Sequence, residues 1–251
     1  MIVSIASQKG GTGKTSTSIS LASGLARRGK KVLLIDVDSQ ANSSKLLLHP
    51  RYNDLRQDDT LYATIIDRKA LVVHESAIPG LYVVPSNILL SNTDLALATA
   101  MDNRGARLKV ELDKIKDQYD FVIIDTPPAL SFLTLNAFVA SDEVIVVASP
   151  GYFELDSIVQ IQKTLAQVRQ DFDVPLGLRG FLFTMNDATV ASKTSLQLLR
   201  QAYTGAVFHT VIPRNTDIRN ATLNKKDIYS YNDKAPVAYA YSKVIKELFD
   251  L

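Results

Sequence analysis

Seven apolar runs punctuate the chain, at residues 2–6, 32–37, 81–85, 121–125, 144–148, 180–184 and 207–212. Each is short and nearly unbroken, the pattern of a strand covered on both faces. Between them lie segments with apolar residues at helical spacing, such as Leu155, Ile158, Ile161, Leu165 and Val168. Strands alternating with helices predict an α/β fold: a doubly wound, mainly parallel sheet flanked by helices. In such a sheet, ligands bind at the carboxyl ends of the strands. The polar stretch 49–59 reads as a mobile surface loop. No internal repeat, low-complexity tract or linker interrupts the pattern, so residues 1–251 are expected to form one domain.

The first strand runs directly into Gln8-Lys9-Gly10-Gly11-Thr12-Gly13-Lys14-Thr15, and a helix-patterned segment follows from Ser16 to Ala26. A glycine-rich turn between a strand and a helix lets backbone N–H groups crowd an anion at the helix N-terminus. Gly10, Gly11, Thr12, Gly13, Lys14, Thr15 and Ser16 form the expected phosphate cradle of a P-loop NTPase. Lys14 supplies a charge for the outer phosphates, and Thr15 offers a hydroxyl to Mg²⁺. A nucleoside triphosphate is the implied ligand. Gln8 occupies the position where the usual P-loop has a glycine, and Lys9 adds a second lysine at the mouth of the loop. Two roles are open to Lys9: its long stem can carry charge to the nucleotide of an opposing subunit, or it is an ordinary surface lysine.

Three carboxylates fall on the same predicted edge. Asp125 ends an apolar run, where it can hold Mg²⁺ through a water; the alternative is a helix N-cap before Thr126-Pro127-Pro128. Asp36 and Asp38 stand two apart, so continued extended geometry would put them on one face. Their alternative is a pair of turn formers.

Composition narrows the field. The chain has 251 residues, no cysteine and three scattered histidines, His49, His74 and His209. Disulfides, zinc–thiolate sites and iron–sulfur clusters are excluded. The N-terminus enters strand one without a leader-like segment, and no apolar run is long enough to span a bilayer, so a cytoplasmic protein is expected. The net charge of +2 does not by itself indicate nucleic acid.

The loop resembles that of the deviant Walker A ATPases of the ParA/MinD group, K-G-G-x-G-K-[ST]. The resemblance continues in Asp36-Val37-Asp38-Ser39-Gln40-Ala41-Asn42, similar to the group's D-x-D-P-Q-x-N with Ser39 in place of proline. It extends through Val84-Pro85-Ser86-Asn87, through Phe121 to Pro128, and through Ile212-Pro213-Arg214-Asn215. It implies ATP and Mg²⁺ as cofactors, with Thr15, Asp36 and Asp125 on the metal side and Asp38 orienting the attacking water. Lys9 and Lys14 would spread the transition-state charge across an ATP-dependent homodimer. Asn186 would pair with the adenine edge between Pro213 and Arg214, unless Asn186-Asp187 is a plain turn. The guanine signature N-K-x-D is absent there, which favours ATP.

The resemblance further implies slow, partner-stimulated hydrolysis, non-specific DNA binding and nucleoid association, with an adaptor, ParB-like or cargo-specific, linking the ATPase to its cargo. The DNA candidates are Arg219, Lys225, Lys226 and Lys243, in a C-terminal third where cations outnumber acids; a merely solvated face is the alternative. No helix-turn-helix precedes strand one, as in short ParA forms. The charges of segment 238–251 nearly cancel, so a helix there is expected to pack on the sheet and not on a membrane, as a MinD-like relative's would. A metabolic ATP-dependent ligase of the dethiobiotin or cobyrinate synthetase kind is the rival from another class.

Overall fold

The computed structural model describes the chain apart from residues 152, 153, 188, 250 and 251 and the side chains of residues 154–157. Leu155 of the expected helical stripe and the last two residues of the expected C-terminal helix therefore lie outside the described set. Strands β1 (Ile2–Ala6), β2 (Val32–Asp36), β3 (His74–Glu75), β4 (Leu81–Val84), β5 (Phe121–Asp125), β6 (Glu143–Ala148) and β7 (Gly177–Phe183) form one sheet in the order β3-β4-β2-β5-β1-β6-β7. All neighbours pair in parallel except the two-residue edge strand β3, which is antiparallel to β4. The helices are α1 (Lys14–Ala26), α2 (Asn42–Leu47), α3 (Leu61–Ile65), α4 (Thr93–Ala98), α5 (Arg107–Leu112), α6 (Phe132–Val139), α7 (Glu154–Phe172), α8 (Val190–Ala202), α9 (Thr216–Leu223), α10 (Ile228–Asn232) and α11 (Pro236–Phe249).

The apolar runs are unbroken because alternate residues serve opposite faces. Val3, Ile5, Val32 and Leu34 face the layer of α1, α2 and α11. Ile2, Leu33 and Ile35 face the layer built by α3 to α6, and Val144 and Val146 face α7 and α8. A parallel sheet needs both coats, and the pattern supplies both.

Two expectations need correction. Segment 207–212 does not continue the sheet as a strand; it meets β7 through an isolated bridge, Phe181 to Val207, and through the Ile212 amide, which donates to the Phe183 carbonyl at 2.8 Å, and a second bridge, Asn186 to Pro213, lies beyond the strand. Between them the amides of His209 and Thr210 donate to the Glu247 carboxylate of α11, at 2.6 and 3.0 Å. A side chain has taken the place of the neighbouring strand. Segment 49–59 is not a mobile loop but two 3-10 turns, Arg51–Asp54 and Gln57–Asp59. Tyr52 and Leu55 pack on the core, and the Tyr52 hydroxyl donates to the Ser86 carbonyl at 3.1 Å.

Helix α11 lies chiefly against α1, with Tyr241, Val244, Ile245 and Leu248 buried, and Phe249 meets Phe121 of β5 edge-on at 4.8 Å. The approach requires a glycine. A Cβ on Gly24 would overlap the tip of Ile245 and come within 2.7 Å of the Tyr229 hydroxyl. Gly24→Val is expected to lower stability by about 1–3 kcal/mol through overpacking, read as a lower urea midpoint. An unchanged midpoint would mean that α11 can move away from α1 at no cost.

Candidate nucleotide site

The turn between β1 and α1 is set by two left-handed glycines, Gly11 at φ 77° and Gly13 at φ 88°. A side chain would be strained at either position. Gly13 stands at the N-terminus of α1, where unpaired amides and the helix dipole favour an anion. Lys14 is buried, its ammonium donating to the Lys9 carbonyl at 3.3 Å. Its charge thus already lies within the turn. From the other side, Thr184 donates through Oγ1 to the Thr12 carbonyl at 2.6 Å, and Thr17 of α1 shares a hydrogen bond with Tyr241 at 3.0 Å.

Asp36 and Asp125 end adjacent strands in register, both fully buried. Asp125 accepts from Ser18 and Ser43, each at 3.0 Å. Asp36 accepts from the Ser44 amide at 3.0 Å and the Ser44 hydroxyl at 2.6 Å. Burial pushes both carboxyls up, Asp36 to about 6 and Asp125 to about 7, and each is raised further by a neighbouring carboxylate: Asp38 for Asp36, and Asp36 for Asp125. The hydrogen bonds oppose this without cancelling it. Thr15 also hydrogen-bonds Asp125.

Thr15, Asp36 and Asp125 thus form a compact, oxygen-only donor set with excess negative character, which suits Mg²⁺. No cluster of three or more His, Cys, Asp or Glu occurs among the described residues. The N-cap alternative for Asp125 is removed, since α6 starts at Phe132 under a Ser131 cap.

Asp38 does not share a face with Asp36. The strand stops at Asp36, and the Asp38 amide folds back to donate to Asp36 Oδ1 at 3.1 Å. Asp38 in turn accepts from the Gln40 amide at 2.9 Å and stays half-exposed. Both carboxylates therefore act as turn formers. Lys9 is exposed, with its ammonium beside Gly151, where an added Cβ would lie 3.0 Å away.

A cleft of about 630 Å³ opens beside Gly13 and Ser16, walled by Thr184, Met185, Asp187, Pro213, Arg214 and Tyr241 among others. Asn186 stands between two wall residues, and its backbone is fixed by the Ile212 carbonyl at 3.0 Å and the Arg214 amide at 2.9 Å. That bridge brings Pro213 and Arg214 beside it. Asp187 is held down to about 2, first by Ser192 and then by Thr189, so its carboxylate is already engaged.

Of the basic candidates, Arg219 is exposed on α9 and lines this cleft, and Lys225 and Lys226 are exposed just after α9. Lys226 lines a second groove with Thr15, Ser16 and Asn42. Lys243 is exposed on a different helix, α11, over the Tyr239 ring at 4.7 Å. Sequence reasoning missed Ser18, Ser43, Ser44, Thr184 and Tyr241. The signal was faint: Ser18 lies one turn after Lys14, and two serines follow Asn42.

The raised carboxyls carry a sign. Their folded-state values exceed the ordinary 3.8, so between about pH 4 and pH 7 the folded chain holds protons that the unfolded chain has released. Their contribution is present at the acid end and lost as pH rises through that window. With metal chelated and no nucleotide, stability should fall across it by an amount on the order of a few kcal/mol, and Asp125→Asn should flatten the decline. Urea titrations at several pH values decide this. Identical slopes in both proteins would remove the pair as the cause.

Residues 1–177 match the AAA-domain family AAA_31. Over 254 residues the chain is 34% identical to the sporulation initiation inhibitor protein Soj of Bacillus subtilis (strain 168), covering 98% of this chain and 97% of Soj. It is also 34% identical over 252 residues to the chromosome partitioning protein ParA of Caulobacter vibrioides (strain NA1000 / CB15N), covering 98% and 93%. Among solved structures it resembles cobyrinic acid a,c-diamide synthase from Mycobacterium smegmatis with bound ADP and magnesium, with a TM-score of 0.82, 28% identity and coverage of 98% and 92%. A phosphate turn, a carboxylate pair on neighbouring strands and near full-length similarity to partition proteins lead to one assignment: the chain belongs to the ParA/MinD family of P-loop ATPases, as a partition or positioning ATPase.

Proposed function

We propose that this ATPase dimerises on binding ATP with Mg²⁺, holds non-specific DNA in that state, and segregates or spaces a cargo through an adaptor that stimulates hydrolysis. The observation that carries the reading is the division of labour between two lysines on one loop. Lys14 is buried within the turn, whereas Lys9 stands exposed at its mouth. An exposed cation there supports the reading that Lys9 meets the phosphates of a second copy.

In this reading, residues 10–16 hold the phosphates by backbone N–H groups and Lys14, and Thr15, Asp36 and Asp125 hold Mg²⁺ directly or through water. Bound Mg²⁺ offsets charge on the phosphates. Asp38 orients the attacking water, and Lys9 of the second copy stabilises charge that develops as the terminal phosphate leaves. Asn186, Pro213 and Arg214 receive the adenine. Hydrolysis that relies on positioning and charge stabilisation favours slow turnover awaiting a partner, as a timer requires.

Arg219, Lys225, Lys226 and Lys243 supply phosphate contacts without base reading, and pairing two copies doubles a weak basic surface. The ATPase would then be nucleoid-associated in the cytoplasm, its cargo a plasmid, a chromosome origin or a protein body. No helix among the described residues is long and apolar enough to cross a membrane. Likeness to a cobyrinic acid synthase favours a second reading, an ATP-dependent biosynthetic enzyme. ATPase activity that DNA changes, with no small-molecule substrate added, separates the two.

Asp38→Ala is expected to bind ATP with wild-type affinity, accumulate as the ATP-bound dimer and turn over at least about tenfold more slowly. Wild-type turnover in this variant would reassign the residue. For DNA, affinity should be strong with ATP, weak with ADP, fall steeply with salt and be independent of sequence. Lys9→Ala should abolish the ATP-dependent gain along with the dimer in sedimentation, whereas charge reversal at Arg219 or Lys226 should weaken DNA binding and leave the dimer intact. Equal affinity in the two nucleotide states, or a marked sequence preference, overturns the DNA-holding mechanism.

A further inference from the structure

The motif Pro85-Ser86-Asn87 follows β4 and has no part in the nucleotide site described above. Ser86 is fully buried, and all three of its polar groups are used. Its hydroxyl donates to the Asp38 carbonyl at 2.6 Å. Its amide donates to Ser44 Oγ at 2.9 Å, and that hydroxyl donates to Asp36. Its carbonyl accepts from Tyr52 at 3.1 Å. One serine thus links the two aspartates of the loop after β2 to a strand that carries no catalytic group. The neighbouring residues anchor the link. The Pro85 carbonyl accepts from the Leu61 amide at 2.7 Å, and Asn87 donates to Thr60 and accepts from the Leu89 amide.

We propose that Ser86 is a positioning residue for hydrolysis: its hydroxyl fixes the backbone at Asp38, and through Ser44 its amide holds that turn against Asp36. The inference rests on the reading of Asp38 as the group that orients water. The physical case is that Asp38 lies beyond the end of β2, so the sheet ladder does not hold it. Its carbonyl has two donors, the Ser86 hydroxyl and the Ala41 amide at 2.9 Å, and the second belongs to the same turn. The Val37 amide, on the Asp125 carbonyl at 2.9 Å, and the Asp38 amide, on Asp36 Oδ1, hold the near side of the turn to the sheet; without Ser86 the Asp38 carbonyl keeps only its bond within the turn, so the far side loses its outside anchor. A displacement on the order of 1 Å at a group that aims a nucleophile costs up to about a hundredfold in rate. ATP binding should be spared, because the polar groups of Ser86 are bonded to Asp38, Ser44 and Tyr52, which lie outside the phosphate loop.

The experiment compares Ser86→Ala with Ser86→Thr, which keeps the hydroxyl, and with Ser4→Ala, which deletes an equally buried serine bonded to Ser141 far from the turn. Ser86→Ala should lower kcat about ten- to a hundredfold with the KM for ATP within about twofold. Ser86→Thr should recover most of the rate, and Ser4→Ala should lose stability alone. A readout free of nucleotide is amide exchange, which should quicken at Gln40 and Ala41 in Ser86→Ala and not in Ser4→Ala. If Ser86→Ala does not fold, Ser44→Ala, which cuts the other link, from the Ser86 amide through Ser44 to Asp36, should likewise quicken exchange at Gln40 and Ala41. Unchanged kcat or unchanged exchange in the folded variant, or a rate loss matched by Ser4→Ala, overturns the proposal. Asp38→Ala run in parallel separates the two layers: if it hydrolyses at the wild-type rate, the reading of Asp38 fails. If it is slow while Ser86→Ala is not, only the role of Ser86 falls.

Discussion

Two carboxylates, Asp36 and Asp125, stand side by side at the buried ends of adjacent parallel strands, and much of the structure answers to that arrangement. Paired acids away from water are unfavourable unless protonated, hydrogen-bonded or matched by a cation. Here they are hydrogen-bonded by hydroxyls drawn from α1 and α2: Ser18, Ser43 and Ser44. The start of α1 and the turn into α2 are therefore tied to the carboxylates. A cation held between them would offset their mutual repulsion, so ligand binding and local order would be linked by one electrostatic term.

The same economy recurs around the phosphate turn. Thr184 joins the end of β7 to Thr12, and Tyr241 of α11 reaches Thr17 of α1. Each bond crosses a large gap in sequence and ties the wall of the cleft to the glycine-rich turn or the helix that follows it. Hydroxyls suit this work, since they donate and accept in a confined space without adding charge to a site already rich in it. The ion pairs, by contrast, lie mainly outside the nucleotide site, as in Arg107 with Asp102 and Lys109 with Asp113. Arg27 with Asp227 does different work, fastening α10 to α1.

The site is also open where a partner would be needed. Asp38 is half-exposed and Lys9 exposed, while Lys14, Asp36 and Asp125 are buried. Binding groups are preorganised by the sheet, whereas the groups assigned to hydrolysis sit on turns beyond it. On the proposed assignment, the rate of hydrolysis would depend on how firmly those turns are held.

The chain order of strands and helices, the parallel sheet and the phosphate turn were legible from residues alone. Apolar runs of five or six residues report burial on both faces, and glycines before Lys14 report a backbone that must turn around an anion. Local chemistry decides such features, so local sequence reveals them. Segment 207–212 shows the limit: its composition suits a strand, but Glu247, some 37 residues on, takes the amides a strand would have paired. The roles of Ser43, Ser44 and Ser86 were equally invisible, since serine is common and a hydroxyl becomes informative only when its partner is known. Raised carboxyls at Asp36 and Asp125 depend on two strands meeting in register, a fact of the sheet and of no single segment. The sequence by itself determined which groups were available for nucleotide chemistry; the tertiary structure decided which were buried together, because desolvation and hydrogen bonding act between residues that only the fold makes neighbours.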